Sequence, residues 1–315
     1  MSVQQSEAFA ASVIIPVHNR KSELQACLTA LVAQDFPLNQ FEVIVCDDGS
    51  TEDFSQIIAA ARQRQLQITH VKQPNKGPAA ARNLGIRHAN AEIVAMTDSD
   101  TLPDTAWLRN LIEALAADPS AVGVEGKVFA NNESEFAPLG EGPENQSGGV
   151  YLTCNMAYRR RVLIEVGGFD ETFPFPAYED VELAARAIQR GKILWQPAAV
   201  ITHPQRPLTL KTVWKKLKHW EFVLRMGYRY GYFGWPRYPT KWPKLYLIGL
   251  AVIALPLSKW KQAAACVTTH PAAAAKLFLF GLVESLGAMA FVAPKVIFLS
   301  RQKLIERHHY LGSLG

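Results

Sequence analysis

Residues 43–53 read "VIVCDDGSTED", and this stretch gives the clearest indication of the fold. Four apolar residues run directly into two adjacent aspartates, Asp47 and Asp48, which a glycine and a serine follow. An apolar run of this length that ends in turn residues is typical of a buried strand. Burying two neighbouring carboxylates is costly unless something pairs with them, because like charges repel and both lose their hydration. We therefore expect a bound ligand, rather than packing alone, to account for the pair.

The chain on either side of this stretch alternates between strand-like and helix-like segments. The predicted strands are "ASVIIPV", "FEVIVCDD", "QITHVKQ" and "AEIVAMTDSD", and the predicted helices cover 22–33, 52–64 and 77–89. Such alternation predicts an α/β fold, Rossmann-like, with a mostly parallel sheet flanked by helices. Because ligands of such sheets bind beyond the carboxyl ends of the strands, we expect the acids at these ends to face one crevice.

The later part of this region continues with strands and helices. "AVGVEGKVF" and "VYLTCNMAYRR" predict strands on either side of a loop at 131–149 that is rich in Gly, Asn, Glu and Pro. "YEDVELAARAIQRG" predicts a helix that Gly191 ends. The composition changes near residue 205, where we place a domain boundary.

The second acidic cluster, "TDSD" at 97–100, contributes Asp98 and Asp100. Carboxylate oxygens are the ligands that Mg²⁺ and Mn²⁺ prefer, and such a cation can neutralise a diphosphate leaving group. The alternative is a solvated acidic turn, because an Asp-x-Asp sequence is common by itself.

Two further acids, Glu179 and Asp180, begin the predicted helix at "YEDVEL". The functional interpretation makes one of them a general base that takes a proton from an attacking hydroxyl. The structural alternative is that acids in a first helical turn complement the helix dipole.

Two basic or titratable side chains lie where they could serve the same crevice. Arg82, in "GPAAARN", could pair with Asp47 or Asp48 or contact a ligand. His203 follows a predicted strand in "THPQR", although a lone histidine is more often structural than a ligand.

These motifs together resemble glycosyltransferase family 2, which has the GT-A fold. The resemblance covers roughly residues 11–205 and is carried by "SVIIPVHNR", "VIVCDDGSTED", "GPAAARNLGIRHANAEIVAMTDSD", "NMAYRRRVLIEVGGFDE" and "YEDVELAARA", in this order. It implies an inverting single displacement from a nucleoside diphosphate sugar donor, usually UDP-linked, with Mn²⁺ or Mg²⁺ as cofactor.

The resemblance also implies roles for individual residues. The residues at the nucleotide edge of the first strand would be Pro16, His18 and Asn19. Asp47 or Asp48 would accept a hydrogen bond from the base, and Arg82 would support that end of the site.

The remaining implied roles concern the metal and the chemistry. Asp98 would face the ribose or the metal, and Asp100 and His203 would be metal ligands. Asp180 would be the catalytic base, and Glu179 would orient it or the acceptor.

Residues 206–244 differ sharply from the rest of a chain of 315 residues whose formal net charge is +5. Ten lysines and arginines stand there against the single acid Glu221, a local net charge of +9, and ten aromatic residues are interleaved with them. Basic charge mixed with Trp and Tyr suits a membrane surface, and it also suits nucleic acid. The apolar runs that follow favour lipid, so we expect no nucleic acid partner.

The apolar runs themselves leave two interpretations open. "LYLIGLAVIALPL" at 245–257 is shorter than the ~20 residues of a spanning helix, and Lys276 and Glu284 interrupt the run at 272–298. We expect helices that lie in or dip into the cytoplasmic face of the cell membrane, no signal peptide, and a lipid-linked or cell-surface glycan acceptor. The alternative is a soluble helical domain whose apolar runs are buried in its core or in a dimer interface.

The sequence therefore predicts a GT-A transferase domain at 1–205 and a basic, aromatic and hydrophobic membrane-associated region at 206–315. Two other functions remain open. One is a non-catalytic nucleotide-sugar-binding module on the same fold. The other is a nucleotidyltransferase, although "IIPVHNRKSE" lacks the Gly-rich basic loop with which such enzymes usually begin.

Overall fold

A computed structural model describes residues 9–130, 139–173, 178–217 and 248–298. The described residues form two compact units. The first takes 9–130, 143–173 and 178–204, and the second takes 139–142, 205–217 and 248–298. Most of the basic and aromatic stretch, from 218 to 244, lies outside the described residues. The assignment of a transferase domain to 1–205 and of a membrane-associated region to 206–315 stays a prediction.

The first unit follows the alternation expected from the sequence. Its strands are β1 Ala11–Val17, β2 Phe41–Asp48, β3 Gln67–Gln73, β4 Ile93–Met96, β5 Leu102–Pro103, β6 Ala121–Ala130, β8 Met156–Arg159 and β9 Lys192–His203. Its helices are α1 Lys21–Val32, α2 Ser55–Gln63, α3 Pro78–His88, α4 Trp107–Ala117, α5 Arg160–Glu165 and α6 Glu179–Ala187.

In the described part of the chain these eight strands form one sheet in the order β3-β2-β1-β4-β8-β6-β9-β5. β1, β2, β3 and β4 are parallel neighbours, and so are β6 and β9. β8 runs antiparallel to both β4 and β6, so the two reversals return β6 and β9 to the direction of β4. The mostly parallel sheet is therefore confirmed, and the carboxyl ends of β1, β2, β4 and β9 lie at the same edge.

Helices cover both faces of this sheet. Neighbouring residues of β1 point to opposite sides, because side chains alternate along a strand. Ile15 belongs to the apolar cluster that contains Leu28 of α1 and Leu111 of α4. Ile14 belongs to the other cluster, with Ile86 of α3 and Leu183 of α6. Burial on both faces explains why β1 and β2 are almost uninterrupted apolar runs rather than alternating ones.

The segment from 150 to 160 departs from its predicted strand. Only β8 is extended, and a short 3₁₀ turn at Thr153–Asn155 precedes it. Tyr151 has a left-handed backbone with φ of 61°. Its N–H donates to the buried carboxylate of Glu125 at 3.0 Å, which also accepts the N–H of Gly149. A carboxylate thus holds the backbone of this segment in a loop that apolar spacing alone does not reveal.

The second unit contains β7 Gly140–Glu141, β10 Arg206–Pro207, α7 Leu210–Leu217, α8 Leu255–Cys266, α9 Pro271–Gly287 and α10 Ala293–Phe298, with π-helical turns at Leu250–Ala254 and Ala288–Val292. Its apolar core includes Val213, Ala263, Leu277 and Phe280. Within the described ranges, one helix, Pro271–Val292, is by length and composition able to cross a membrane, a property that it shares with core helices of soluble proteins.

Candidate active site

The loop after β1 is tied to the loop after β2. His18 Nδ1 lies 2.9 Å from the backbone oxygen of Asp48. The N–H of Asn19 donates to Ser50 Oγ at 2.8 Å, and the N–H of Thr51 donates to Asn19 Oδ1 at 3.0 Å. The predicted nucleotide-edge residues His18 and Asn19 therefore lie beside the acidic end of β2, and Pro16, within β1, is partly buried.

The paired carboxylates at the end of β2 both have partners within the chain. Asp47 accepts the N–H of Ser50 at 2.7 Å and lies 3.1 Å from Lys72 Nζ. Desolvation opposes ionisation, but the Ser50 and Lys72 contacts outweigh it and lower the pKa of Asp47. Asp48 accepts backbone N–H groups of Lys76 and Gly77 at 2.9 and 2.8 Å.

Partners within the chain therefore account for the burial of this pair, so the burial by itself does not require the ligand that we expected. The two side chains point to different loops, and hydrogen bonds from those loops compensate the cost of burial. A role for either carboxylate toward a nucleotide base stays a prediction.

Arg82 is a buried side chain that contacts two of the acidic motifs. Its Nη2 donates to Asp98 Oδ1 at 2.8 Å and its Nη1 donates to Glu179 Oε1 at 2.9 Å. The guanidinium also lies over the ring of Phe169, 5.5 Å from its centroid. Although burial favours the neutral form, the charges of Asp98 and Glu179 raise the pKa of Arg82 well above its ordinary value.

The pairing of Arg82 with Asp47 or Asp48 that the sequence left open is thus not what the structure shows. Arg82 lies on the buried side of α3 and reaches the loop after β4 instead. It joins the Asp-x-Asp loop to the start of α6, two motifs that are far apart along the chain.

Three of the predicted residues come together as a possible cation site. One ligand atom from each of Asp98, Asp100 and His203 lies within 4.8 Å of the others. Ligands of an octahedral Mg²⁺ with bonds of about 2.1 Å are roughly 3–4 Å apart, so small side-chain movements would suffice. Two carboxylates and an imidazole suit Mn²⁺ or Mg²⁺, and the residues present therefore fit the implied cofactor.

The orientation of His203 is set by its neighbour. His203 Nδ1 lies 2.9 Å from the carbonyl oxygen of Pro204, and a carbonyl can only accept, so Nδ1 carries the hydrogen. The Nε2 atom, 3.7 Å from Asp100 Oδ1, then presents its lone pair to the cluster when the ring is neutral. This arrangement matches the way a hydrogen-bonded histidine ligates a metal.

Glu179 and Asp180 begin α6 directly after Tyr178, whose φ of 71° is left-handed. Glu179 is buried, and its Oε2 has no hydrogen-bond partner among the described residues. Desolvation raises the pKa of Glu179 in spite of Arg82. Desolvation and, next, the charge of Glu179 raise the pKa of Asp180 to about 7. A pair that only complemented the helix dipole would need neither the burial nor the Arg82 contact.

Sequence reasoning missed one residue of this site. Arg20 Nη1 donates to Asp100 Oδ2, so the loop after β1 reaches the loop after β4. "HNRK" marked a turn and nothing more, because an arginine in a turn has no preferred partner that spacing can reveal.

Comparisons with known proteins identify relatives of this chain. The family described as "Glycosyl transferase family 2" matches residues 12–167. The chain is 32% identical over 214 residues to the glycosyltransferase AglE of Haloferax volcanii, covering 62% of this chain and 67% of AglE. It is 30% identical over 261 residues to the pre-mycofactocin glycosyltransferase of Mycobacterium tuberculosis, covering 77% of this chain and 51% of that protein. The chain spans only 24% of a third relative, the hyaluronan synthase of Pasteurella multocida.

Solved structures show the same fold. The mannosyltransferase PcManGT from Pyrobaculum calidifontis, in complex with GDP-Man and Mn²⁺, aligns with a TM-score of 0.54 at 20% identity, over 93% of this chain and 87% of that one. TarS 1–349 of S. aureus, in complex with UDP-GlcNAc, aligns with a TM-score of 0.54 at 19% identity, over 89% and 92%. The predicted GT-A fold is confirmed.

Proposed function

The chain belongs to glycosyltransferase family 2, and we propose that it moves a sugar, with inversion, from a nucleoside diphosphate sugar to a lipid-linked or cell-surface glycan. The observation that carries this proposal is the position of Arg82. Its guanidinium contacts both Asp98 of the possible cation site and Glu179, the neighbour of Asp180. These two contacts of one buried side chain support a reaction in which the diphosphate leaving group and the candidate base lie close together.

The residues divide the reaction between them. Asp98, Asp100 and His203 would hold Mn²⁺ or Mg²⁺, and the bound cation would neutralise charge on the leaving diphosphate. Asp180, with a pKa near 7, suits a general base that accepts the proton of the acceptor hydroxyl at neutral pH. Because one displacement needs one base, a second carboxylate for a covalent intermediate is unnecessary.

Glu179 has a positioning role in this proposal. Its Oε1 is held by Arg82, and its charge raises the pKa of the adjacent Asp180. The N-terminal residues of α6 thereby connect the base to the Asp98 side of the crevice. Arg82 makes this connection, because its guanidinium contacts both Glu179 at the start of α6 and Asp98 after β4.

The donor is a nucleotide sugar whose base we propose to be uracil. TarS is solved with UDP-GlcNAc and PcManGT with GDP-Man, so structures of this fold hold donors of either base. A uridine donor is the usual choice in the family that the motifs resemble. The residues placed beside the end of β2, His18 and Asn19, together with Asp47 or Asp48, are proposed to contact the nucleotide.

A donor screen tests the function. The purified chain is incubated with UDP-, GDP- and dTDP-sugars and either Mn²⁺ or Mg²⁺, and release of nucleoside diphosphate is measured. We expect hydrolysis of a UDP-sugar that chelation by EDTA abolishes. Donor binding without release would favour the non-catalytic module. Release of pyrophosphate from a nucleoside triphosphate and a sugar phosphate would favour a nucleotidyltransferase.

The proposal of a membrane partner rests on α9. Glu284 is buried and lies 3.2 Å from Lys259 of α8, and Ser285 Oγ donates to the Val252 carbonyl at 2.8 Å. The outer side of the same helix is apolar: Phe278, Leu279, Leu282 and Leu286 are all more than a third exposed. Polar groups inside and apolar groups outside suit lipid contact better than water. We infer association with the cytoplasmic face of the membrane, and the soluble helical domain remains its alternative.

A further inference from the structure

Arg20 lies in the candidate active site, but the proposed reaction gives it no role. It follows Asn19 in the loop after β1, and both residues have left-handed backbones, with φ of 58° for Asn19 and 66° for Arg20. Left-handed backbone is unusual for residues other than glycine, so the loop conformation is specific. It directs the Arg20 guanidinium onto Asp100 Oδ2. One of the two carboxylates expected to hold a cation therefore already holds a positive charge.

Asp98 also forms an ion pair with an arginine, Arg82. Arg82 and Arg20 differ in how easily each can dissociate from its carboxylate. The Arg82 side chain is 6% exposed and is held by Asp98, Glu179 and the Phe169 ring. The Arg20 side chain is 39% exposed, and its ion-pair partner among the described contacts is Asp100. A half-exposed guanidinium can be rehydrated at small cost, whereas releasing a buried one leaves several charges unpaired.

We propose that Arg20 is the displaceable counter-ion of Asp100. A divalent cation must compete with Arg20 for this carboxylate, and the released guanidinium then binds the diphosphate of the donor. Arginine suits this exchange because its planar fork binds carboxylate and phosphate oxygens in the same bidentate manner. The inference rests on the proposed function, because it assumes a nucleoside diphosphate ligand.

This exchange has a thermodynamic consequence. The diphosphate supplies a new partner for the guanidinium that the cation displaces, so each ligand lowers the cost of binding the other. Binding of Mn²⁺ and of nucleoside diphosphate must then be positively coupled, and the coupling must depend on Arg20.

The test is a binding cycle on the full chain. Binding of Mn²⁺ is followed by the electron paramagnetic resonance signal of the free ion, with and without saturating UDP. Binding of UDP is followed by calorimetry, with and without Mn²⁺. The proteins are the wild type, Arg20→Gln, Arg20→Lys and the control Lys21→Gln, which removes the neighbouring positive charge, and GDP replaces UDP if the wild type does not bind UDP.

Arg20→Gln should change the two affinities in opposite directions. Without nucleotide, Mn²⁺ should bind about 2- to 5-fold more tightly, because the ion pair of Asp100 with a partly exposed guanidinium no longer competes. With Mn²⁺ present, UDP should bind about tenfold more weakly, because a charge-assisted contact is lost. Arg20→Lys should retain part of the coupling, and Lys21→Gln should change either affinity by less than twofold.

Other results would overturn the inference. A merely structural Arg20 would make Arg20→Gln bind both ligands more weakly and melt at a lower temperature. Unchanged affinity for Mn²⁺ would show that Arg20 does not compete for Asp100. A wild type that binds Mn²⁺ but neither UDP nor GDP would overturn the proposed donor and, with it, the diphosphate part of this inference. The Mn²⁺ affinities would still decide the competition at Asp100.

Discussion

At the scale of single residues, the site is a set of acids held by two arginines. Arg82 is buried and bridges Asp98 and Glu179, whereas Arg20 is half-exposed and holds Asp100. Each carboxylate of the Asp-x-Asp loop therefore has its own cation within the chain. A metal ion would have to share Asp98 with Arg82 and displace Arg20 from Asp100. Substitutions of the two aspartates should therefore have different effects.

Asp100→Ala should abolish metal-dependent donor binding while the fold survives. The substitution removes a proposed ligand and leaves Arg20, which is half-exposed and can be hydrated. Calorimetry of UDP with and without Mn²⁺ measures the effect, and Asp118→Ala, which removes a carboxylate paired with Lys192, is the control. Unchanged affinity and unchanged metal dependence would contradict the assignment of Asp100.

Asp180→Asn should reduce turnover about 10²–10⁴-fold and leave donor affinity nearly unchanged, since Asn cannot accept the proton. The loss should persist at saturating acceptor, because it concerns the transition state. In the wild type, kcat/KM should fall below about pH 7, where Asp180 becomes protonated. Glu179→Gln removes the negative charge that raises this pKa and should move the fall to lower pH.

The stability of the same variant gives a folding control. A carboxyl whose pKa is raised in the folded state destabilises that state as pH rises from about 4, its unfolded value, to about 7. The melting temperature of Asp180→Asn at pH 8 should therefore equal or exceed that of the wild type. If Asp180→Asn keeps near-normal transfer while Glu179→Gln loses it, the base is Glu179 instead.

At the scale of elements, α3 positions the site because it packs very close to the sheet. Gly85 faces Ile14 of β1 and Cys46 of β2 on the side of α3 that is buried. Two residues earlier, the Asn83 side chain pairs with the backbone of Phe169 at 2.8 and 2.9 Å, which fixes the turn beneath Arg82. The position of Arg82 thus depends on a helix that only a glycine allows to approach.

Gly85→Ala should destabilise the protein by about 1–3 kcal/mol, in spite of the better helix propensity of alanine. An added Cβ would lie 2.5 Å from Ile14 Cγ2 and 2.8 Å from Cys46 Sγ. Urea unfolding measures the change. The control is Gly249→Ala, where no heavy atom of the described part of the chain lies within 4 Å of the added carbon. Equal stability of the two variants would show that α3 can move outward without cost.

At the scale of the whole molecule, the described residues form two units that differ in where their charged and apolar side chains lie. The first has a conventional apolar core between its sheet and helices, and its acids gather at one edge of the sheet. The second buries an ion pair between α8 and α9 and exposes apolar side chains of α9. Membership of the family identifies the chain as a glycosyltransferase. The proposed membrane contact rests on the second unit.

The full-length protein should float with liposomes that contain anionic lipid. A variant with Leu286→Glu on α9 and Met289→Glu in the π-helical turn that follows should lose most of this flotation. These side chains are 62% and 50% exposed, and burial of each contributes roughly 1.5–3 kcal/mol. The matched control places glutamates at Ile164 and Phe129, exposed apolar residues of the first unit. If the wild type does not float, the soluble helical domain is the better interpretation.

The helices and strands, and the acidic residues of the candidate site, could be predicted from the sequence. Uninterrupted apolar runs and helical spacing are local properties, so β1, β2, α1 and α3 were predictable, and so were the acids that end β2 and those that follow β4. The ordered motifs then sufficed for the family.

Which charged side chains contact each other could be seen only in the tertiary structure. Arg82 and Glu179 are 97 positions apart, and Arg20 and Asp100 are 80 apart, so no local spacing links either pair. The reversed direction of β8 and the loop before it also depend on distant partners, the neighbouring strands and Glu125. Long-range partners of charged groups follow from the order of strands in the sheet, and that order is a property of the whole packed chain.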